Sequence, residues 1–458
     1  QSYLCHAVGN SNMSSTHWNI LSSWSKAGIG TSIVLELKKP SHSLPSSSSS
    51  SSGAQQQQST KMKSTARIVF DMGATPCFDD AIPAKYVFLS HGHVDHVGAL
   101  FSHARAHAVM CGGAAPTYFI PAPLLPQIEK CRDAMSLLDA SNMHPDADGG
   151  EGGKRRNSLI KMKLVPVQPG DEVSLKGIHY GSKTSFFMRA YEVDHAEHPA
   201  LGYIIGSRTT SGLKKEYQHL DNKQIRDLVK SGQVSSASMK ADPVEIMEVA
   251  YSGDTCARGL IKRVAEEEEG ITATTTTTAA ACKSKQQQSS FDIAQLFQSE
   301  LLLCELTFLD SSEDEQQRCK AEERGHLHIN DLERIFSSHD PFWNEGGEKN
   351  TTTTTIQTTP MDSKESDSNN ASPNGDRRRP KNIVFYHLSA KYQPANRALG
   401  CIVEGLPHQL RDRCHVAISS MLAQEEKLKV GETSLATLIR PDGCISLADY
   451  ISWKDASI

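Results

Sequence analysis

An apolar stretch of strand length runs directly into a turn that is rich in metal-binding side chains. The stretch covers residues 86–89, and the turn supplies His91, His93, Asp95 and His96. Imidazole nitrogens and carboxylate oxygens are ligands that suit zinc and similar divalent ions. On an extended turn His91 and His93 can reach one ion, while Asp95 and His96, where a helix begins, can reach a second. The motif therefore predicts a metal site rather than an ordinary polar turn.

Three later apolar stretches also end at residues that can bind a metal. The residues that follow these stretches are His195, Asp254 and His387. Each of them alone could be an ordinary loop or core residue. Together they predict a single site, because the ends of strands in a layered sandwich can meet along one edge.

Short apolar runs recur along the whole chain and alternate with helical patterns. The predicted strands are Arg67–Asp71, Tyr86–Leu89, Pro116–Ile120, Phe186–Val193, Leu201–Ile205, Glu245–Tyr251, Leu301–Leu306 and Ile383–Tyr386. The predicted helices are Leu124–Leu138, Asp292–Ser299 and Ile329–Ser337. This mixture favours a layered α/β domain over separate all-helical or all-strand domains.

Low-complexity segments take up part of the chain of 458 residues. Runs of Ser, Gln, Thr and Glu cannot bury enough apolar surface to offset the conformational entropy of folding. We therefore expect one domain split by surface insertions rather than three domains. The predicted parts are an N-terminal region, 1–60, Ser/Gln-rich towards its end; the domain, 61–420, with insertions at 142–157, 263–290 and 340–382; and a C-terminal extension, 421–458.

The overall charge excludes general binding of polyanions. Lys and Arg number 48 against 53 Asp and Glu, so the net charge is -5 and any contact with nucleic acid must be local. No uninterrupted apolar run reaches the length of a membrane span, so we expect no membrane partner. Eleven cysteines without a CxxC pair favour a reducing, intracellular setting, and cytosol, nucleus and organelle all stay open.

Further boxes follow the histidine motif in a fixed order. They are Tyr251-Ser252-Gly253-Asp254-Thr255, Cys304-Glu305-Leu306-Thr307-Phe308-Leu309-Asp310, Gly325-His326-Leu327-His328 and His387-Leu388-Ser389-Ala390-Lys391-Tyr392. With these boxes the chain resembles short-form ribonuclease Z, a transfer-RNA 3'-processing endonuclease of the metallo-β-lactamase superfamily, and particularly its plant-type members. The resemblance covers Ile68 to about Ser420. The histidine motif specifies only the superfamily, and the later boxes narrow it to this family.

The resemblance implies a metallo-β-lactamase αββα sandwich with low-complexity surface insertions, and a dinuclear site. Two Zn2+ ions are expected, although Mn2+ or another divalent ion could replace them. One ion would be held by His91, His93 and His195. The other would be held by Asp95, His96 and His387, with Asp254 bridging the two.

The resemblance also implies the catalytic roles. Asp95 would accept the proton of the attacking water. Glu305 and His326 match the pair that orients and protonates the departing 3'-oxygen, although each could instead be a structural residue.

One departure from the family pattern concerns the third ligand of the first ion. The interval between His195 and Gly202 is one residue longer than in the family, and it contains His198. We expect His195 to be the ligand because it closely follows a predicted strand. His198 is the reserve candidate.

Residues 207–244 match the position of the RNA-gripping arm in that family. The basic residues of this segment are Arg208, Lys214, Lys215, Lys223, Arg226 and Lys230, around Tyr217. Such residues could neutralise the phosphates of a folded RNA and recognise its shape. The alternative is a solvated helix face, because Glu216, Asp221 and Asp227 are interspersed.

The function that these features favour is removal of the 3' trailer from precursor tRNA by metal-activated water. A homodimer is expected from the resemblance alone. A small-molecule hydrolase of the same superfamily, acting on thioesters or cyclic nucleotides, is the main alternative. A non-catalytic RNA-binding module is disfavoured because all seven ligand positions are filled.

Overall fold

The computed structural model describes the chain in ten segments. They are residues 13–39, 65–140, 158–210, 212–232, 234–236, 238–261, 293–310, 315–339, 380–422 and 435–456. The predicted insertions 142–157 and 263–290 lie outside the described residues, as does 340–382 up to residue 379. The Ser/Gln-rich stretch 41–60 also lies outside them.

The first sheet has six strands in the order of the sequence. They are β1 (Trp18–Lys26), β2 (Gly30–Leu37), β3 (Arg67–Phe70), β4 (Tyr86–Phe88), β5 (Thr117–Pro121) and β6 (Lys163–Val167). Strands β1 and β2 pair antiparallel, as do β2 and β3, whereas β3 to β6 run parallel to one another. The carboxyl ends of β3 and β4 therefore lie at the same edge of the sheet.

The second sheet has eight strands, which also follow in chain order. They are β7 (Glu172–Ser174), β8 (Thr184–Glu192), β9 (Leu201–Thr209), β10 (Val244–Tyr251), β11 (Leu301–Glu305), β12 (Asn382–Tyr386), β13 (Cys414–Ala417) and β14 (Cys444–Ser446). Strands β10 to β13 are parallel, and the remaining pairs are antiparallel. The carboxyl ends of β10, β11 and β12 are thus neighbours.

Helices accompany both sheets. The helices near the first sheet are α1 (Phe78–Ala81), α2 (Val94–Val97), α3 (Leu100–Met110) and α4 (Leu125–Asp139). The later ones are α5 (Asn222–Lys230), α6 (Ala294–Phe297), α7 (Glu315–Glu323), α8 (Leu332–His339), α9 (Ala395–Gly405), α10 (Ser419–Leu422) and α11 (Leu447–Ala456). No helix in these segments has the length and hydropathy needed to cross a bilayer.

The central strands of each sheet are buried on both faces, which explains why strands such as β11 and β12 are almost continuously apolar. In β11, Leu301 and Leu303 belong to the core between the sheets, whereas Leu302 and Cys304 pack with the helices outside. This alternation follows from the two-residue period of a strand. Stacked rings cross the central core, for example Phe70 against Tyr251, with ring centroids 4.7 Å apart.

Three apolar cores separate four layers. One core joins α1, α3 and α4 to the first sheet, a second lies between the sheets, and a third joins α6, α8, α9 and α11 to the second sheet. The predicted αββα sandwich is confirmed. Each of the eight predicted strands overlaps a strand of the structure.

Two predicted domain limits differ from the structure. Strands β1 and β2 belong to the first sheet, so a domain start at residue 61 is too late. The polar residues of β1 make it difficult to recognise as a strand in the sequence. Two of its buried serines are hydrogen-bonded: Ser23 Oγ donates to Asp442 O over 2.7 Å, and Ser25 Oγ lies 3.0 Å from Thr31 Oγ1. Strand β14 and helix α11 likewise place part of the predicted C-terminal extension in the second sheet and its helical layer.

Candidate metal centre

The loops that follow four strands bring the predicted ligands together. His91 follows β4, His195 follows β8, Asp254 follows β10 and His387 directly follows β12. The Glu305 side chain comes from the last residue of β11. Because β3–β4 and β10–β12 are parallel groups, their carboxyl ends deliver these residues to one edge of the sandwich.

The first group of ligand-capable side chains contains three histidines. His91 Nε2 lies 3.1 Å from His93 Nδ1, and His195 Nε2 lies 3.3 Å from the same atom. One nitrogen of each ring lies within 4.8 Å of those of the other two, as in a site that could hold one ion.

The second group contains Asp95, His96 and His387, with ligand atoms again within 4.8 Å of one another. Asp254 lies between the two groups. Its Oδ2 is 3.1 Å from His387 Nε2, 3.2 Å from His96 Nε2 and 3.9 Å from His91 Nε2. This position next to both groups is what a bridging carboxylate requires.

Hydrogen bonds on the outer side of the rings fix which nitrogen faces the cluster. His195 Nδ1 donates to the Gly325 carbonyl over 2.8 Å, so His195 Nε2 keeps its lone pair for the site. His96 Nδ1 lies 2.7 Å from Asp71 Oδ2, and His387 Nδ1 lies 3.1 Å from Thr31 Oγ1. Metal-binding histidines are commonly oriented in this way.

Asp71 is the main outer residue, and it was not among the predicted site residues. It is fully buried and follows β3, within the predicted strand Arg67–Asp71. Its carboxylate accepts hydrogen bonds from the Ser90 amide, the Ser90 hydroxyl and the Tyr251 hydroxyl besides His96. A carboxylate at the end of a predicted strand, beside the histidine strand, is the signal that could have identified it.

The donor set fits a divalent cation. His96 Nε2 and Asp254 Oδ1 are buried and make no hydrogen bond within the described part of the chain. Burial without a partner is costly for such atoms, and ligation would remove that cost. In this cluster several histidine nitrogens face one carboxylate. A bound cation would stabilise such an arrangement, because the nitrogen lone pairs and the carboxylate oxygens can all act as its ligands.

The pKa shifts of the histidines agree with this. Burial lowers the pKa of His195 to about 4 and that of His387 to about 3, and burial beside His96 lowers the pKa of His91 well below its usual value. These rings are neutral near pH 7 and can act as ligands. Burial opposes a charge on His96 as well, but the Asp254 and Asp71 carboxylates raise the pKa of His96 well above its usual value. Without a cation, a proton on His96 balances the negative charge of Asp254. A bound cation would supply that positive charge instead.

Glu305 and His326 form a hydrogen-bonded pair beside the cluster. His326 Nδ1 lies 3.1 Å from Glu305 Oε1, and the Leu327 amide donates to Glu305 Oε2 over 2.8 Å. His326 Nδ1 is also 4.0 Å from Asp254 Oδ2. Burial raises the pKa of Glu305 to about 7. Burial opposes a charge on His326, but the hydrogen bond with Glu305 outweighs this and raises the pKa of His326. The pair can therefore hold a proton near neutral pH.

His198 stands outside the two groups. Its ring is exposed, and its centroid is 4.4 Å from that of His93 and 5.7 Å from that of His195. The structure places His195, and not His198, in the first ligand group. His328 is buried, and its Nδ1 accepts a hydrogen bond from the Asn330 amide over 3.2 Å.

The arm carries helix α5, which begins at a capping box of Asp221 and Gln224. Lys223, Arg226 and Lys230 follow the helical spacing i, i+3 and i+7, so they share one face. All three are exposed, and no ion pair engages them among the residues that the structure describes.

The other basic residues of the arm differ from one another. Lys214 is half-buried and Lys215 is exposed. Arg208 is unlike them, because its guanidinium pairs with Glu172 and Glu245 over 2.6 and 2.8 Å and covers the Phe187 ring. Its charge is therefore already neutralised by the protein, so the expectation that Arg208 contacts RNA is corrected.

Comparisons with known proteins agree with the sequence resemblance. No protein-family model matches the chain. The chain is 24% identical over 266 residues to the chloroplastic tRNase Z TRZ2 of Arabidopsis thaliana, which covers 58% of this chain and 57% of that protein. It is 26% identical over 266 residues to Arabidopsis thaliana tRNase Z TRZ1, a match that covers 58% of this chain and 72% of that protein. It is 27% identical over 168 residues to the nuclear ribonuclease Z of Triticum aestivum, a match that covers 37% of this chain and 79% of that protein. The chain thus spans little more than half the length of the first of these relatives.

Two solved structures are also similar in part. A long-form RNase Z from yeast matches with 11% identity and a TM-score of 0.39, covering 84% of this chain and 39% of that one. The short form of human tRNase Z matches with 12% identity and a TM-score of 0.35, covering 82% and 93%.

Proposed function

We propose that this chain is a metal-dependent endoribonuclease that removes the 3' trailer of precursor tRNA. One observation carries the proposal: Asp254 lies between the two ligand groups, and the Glu305–His326 pair lies beside that carboxylate. The similarity to proteins named tRNase Z supports the choice of RNA as the substrate class.

His91, His93 and His195 would hold one ion, and Asp95, His96 and His387 would hold the other, with Asp254 between them. Zn2+ suits this mixture of imidazole and carboxylate, and Mn2+ is the alternative. When bound, a pair of such ions would polarise the scissile phosphodiester and make water a stronger nucleophile near neutral pH.

Asp95 is suited to accept the proton of the attacking water. Its side chain is only 14% exposed, and its Oδ2 lies 3.7 Å from His96 Nε2 and 3.9 Å from His387 Nε2. The Gly28 amide, at the turn between β1 and β2, donates to the same oxygen over 2.8 Å. The hydrogen bond orients the carboxylate towards the ligand groups.

His326 is suited to protonate the departing 3'-oxygen. It is the more exposed member of its pair, with a side chain 17% exposed against 0% for Glu305. Glu305 accepts from the Thr307 hydroxyl, the Leu327 amide and His326, so its position is fixed. A histidine held by a fixed carboxylate is a suitable general acid.

The arm would provide the positive charge that the acidic chain lacks elsewhere. Lys214, Lys215, Lys223, Arg226 and Lys230 would contact phosphates of the folded RNA without reading its sequence. A homodimer and an intracellular location stay predictions from the sequence. The compartment stays open, since the relatives include one named chloroplastic and one named nuclear.

Cleavage of a 3'-extended precursor tRNA tests the proposal. The protein should cut the RNA at the trailer junction, lose the activity on dialysis against a chelator, and regain it with Zn2+ or Mn2+. Asp254→Asn should neither cut nor retain both ions. Hydrolysis of a thioester or cyclic nucleotide without RNA cleavage would favour the small-molecule hydrolase. RNA binding with neither metal nor cleavage would favour the non-catalytic module.

A further inference from the structure

Arg258 lies outside the predicted site, yet it connects the loops that carry three of the site residues. We propose that Arg258 is a positioning residue that fixes His195, and through the neighbouring turn His326, at the metal centre. The inference rests on the proposed function. It adds a residue whose role the sequence resemblance does not indicate.

The guanidinium of Arg258 bridges two carboxylates. Arg258 Nε lies 2.9 Å from Glu322 Oε1 and 3.4 Å from Asp194 Oδ2. Asp194 immediately precedes His195 in the chain. Glu322 lies at the end of α7, three residues before Gly325, whose carbonyl accepts the hydrogen bond of His195. Arg258 is therefore paired both with the residue before His195 and with a residue three positions from Gly325, the hydrogen-bond partner of the His195 ring.

Two glycines bring the three loops into direct backbone contact. A Cβ added to Gly325 would lie 2.6 Å from the His195 carbonyl carbon, and one added to Gly259 would lie 2.6 Å from the Asp194 nitrogen. Neither distance leaves room for a side chain. The backbone of residues 194–195 is thus enclosed between the turn after α7 and the short turn Ala257–Gly259.

Backbone hydrogen bonds secure the inner side of the same contact. The Cys256 amide donates to the Asp194 carbonyl over 2.8 Å, and the Asp194 amide donates to Thr255 Oγ1 over 3.3 Å. These bonds join the Asp254 loop to the His195 loop. No corresponding bond joins the Asp254 loop to the α7 turn within the described segments, where the Arg258–Glu322 pair makes the connection.

Charge explains why a cation is needed at this point. The carboxylates of Asp194 and Glu322 approach the same guanidinium, so without it two like charges would face each other across the junction. The Arg258 side chain is 61% exposed, and exposed ion pairs contribute little to global stability. We therefore expect its loss to affect the local alignment of His195 and His326 rather than the fold.

The test compares metal affinity and kinetics in matched variants. Affinity for Zn2+ is measured by competition with a chromophoric chelator, and cleavage is measured on precursor tRNA. Arg258→Gln should weaken the affinity by roughly fivefold and lower kcat with little change in KM, because the effect acts through a ligand and the proton donor. Its melting temperature should stay within about 2 °C of the wild-type value.

Conservative and control variants sharpen the comparison. Arg258→Lys should recover most of the affinity, since an ammonium can still lie between the two carboxylates. Glu322→Gln should shift affinity in the same direction as Arg258→Gln. The matched control is Glu323→Gln, an exposed neighbour on α7 with no ion pair among the described residues, and it should behave as wild type.

The outcomes separate this inference from the proposed function. Unchanged Zn2+ affinity and kcat in Arg258→Gln would overturn the positioning role, and a raised KM in that case would show that Arg258 contacts RNA instead. If the wild-type protein binds Zn2+ but cuts no RNA, the proposed function fails while the affinity comparison still decides the role of Arg258. If the wild type binds neither Zn2+ nor Mn2+, both fail.

Discussion

His96 lies with its Nδ1 2.7 Å from Asp71 Oδ2, which leaves His96 Nε2 facing Asp254. The Asp71 carboxylate therefore selects the nitrogen that the second ligand group can use. Asp71→Asn keeps the shape but removes the charge that accepts this proton. We expect Zn2+ affinity to fall about 10- to 100-fold, as is usual when an outer partner of a ligating histidine is lost. Competition with a chromophoric chelator measures it.

The control for this prediction is Asp79→Asn, an exposed aspartate on α1. It should leave the affinity unchanged. Because Asp71 also accepts bonds from Ser90 and Tyr251, thermal unfolding should show a loss of stability in the Asp71 variant alone. An Asp71→Asn protein that is well folded and binds Zn2+ as tightly as the wild type would contradict the orienting role.

Metal binding also decides whether His195 or His198 is the third ligand of the first ion. His195→Ala removes a nitrogen that lies 3.3 Å from His93 Nδ1, so the first group keeps only two histidines. We expect the bound metal to fall by about one ion per chain. His198→Ala should retain full metal content, since its ring is exposed and outside both groups. Metal analysis of the purified variants gives the answer, and the reverse pattern would assign the ligand to His198.

Substitutions in the Glu305–His326 pair should lower the rate of cleavage without lowering the metal content. His326→Ala should slow cleavage of precursor tRNA by about 10²- to 10⁴-fold, the range expected for loss of a general acid. Glu305→Gln should slow it less, because the imidazole remains but its orienting carboxylate does not. Both variants should keep the wild-type metal content, measured on the same preparations. Loss of metal together with activity would make the pair structural.

The histidine motif predicts part of the metal centre well, because its four residues are close together in the sequence. His91, His93, Asp95 and His96 lie within six residues, so one strand end fixes their positions whatever the rest of the chain does. The distant ligands His195, Asp254 and His387 could be located because each follows a conspicuous apolar strand. Parallel pairing then brings those strand ends to one edge, which the sequence indicates only through the strand pattern.

The features that the sequence did not reveal depend on contacts between distant segments. Strand β1 is rich in serine, and bonds from its hydroxyls to other segments, such as Ser23 to Asp442, help to make its burial favourable. Thr31 and Gly325 orient site histidines through contacts more than a hundred residues apart in sequence. The sequence groups Arg208 with the basic residues of the arm, because its acidic partners Glu172 and Glu245 lie on other strands.

The basic arm is expected to matter for the binding of precursor tRNA but not for the cleavage of a small substrate. Charge reversal at Lys214 and Lys215, as Lys214→Glu and Lys215→Glu together, should weaken binding of precursor tRNA while cleavage of a small phosphodiester stays unchanged. Phosphate contacts dominate RNA affinity and depend on salt, so the wild type should lose affinity with rising salt more steeply than the variant. Filter binding across a salt series measures both effects.

The control for the arm is Lys454→Glu, an exposed lysine on α11. It changes the net charge in the same direction without touching the arm and should leave the salt dependence as in the wild type. Loss of both RNA binding and small-substrate cleavage in the arm variant would show that the change has damaged the metal centre instead.

His103 is a buried histidine outside the metal centre. Its Nε2 donates to the Ala81 carbonyl over 3.0 Å, so its Nδ1 accepts the hydrogen bond of the Tyr118 hydroxyl over 2.7 Å. The neutral ring therefore has both nitrogens satisfied. Protonation at Nδ1 would break the bond from Tyr118 and bury a charge, and burial accordingly lowers the pKa of His103 to about 4.

This shift predicts an acid sensitivity of the fold. In the unfolded chain His103 takes up a proton below its usual pKa of 6.5, whereas in the folded protein it does so only near pH 4. The contribution of His103 to stability is therefore fully present above pH 6.5 and is lost as the pH falls towards 4, by roughly 3 kcal/mol. His103→Gln, which retains a donor and an acceptor but does not titrate, should lose about that much less free energy of unfolding between pH 7 and pH 4. Urea unfolding at several pH values measures the difference, and exposed His408→Gln is the control that should follow the wild type. Parallel curves for the wild type and His103→Gln would show that this histidine does not make the fold acid-sensitive.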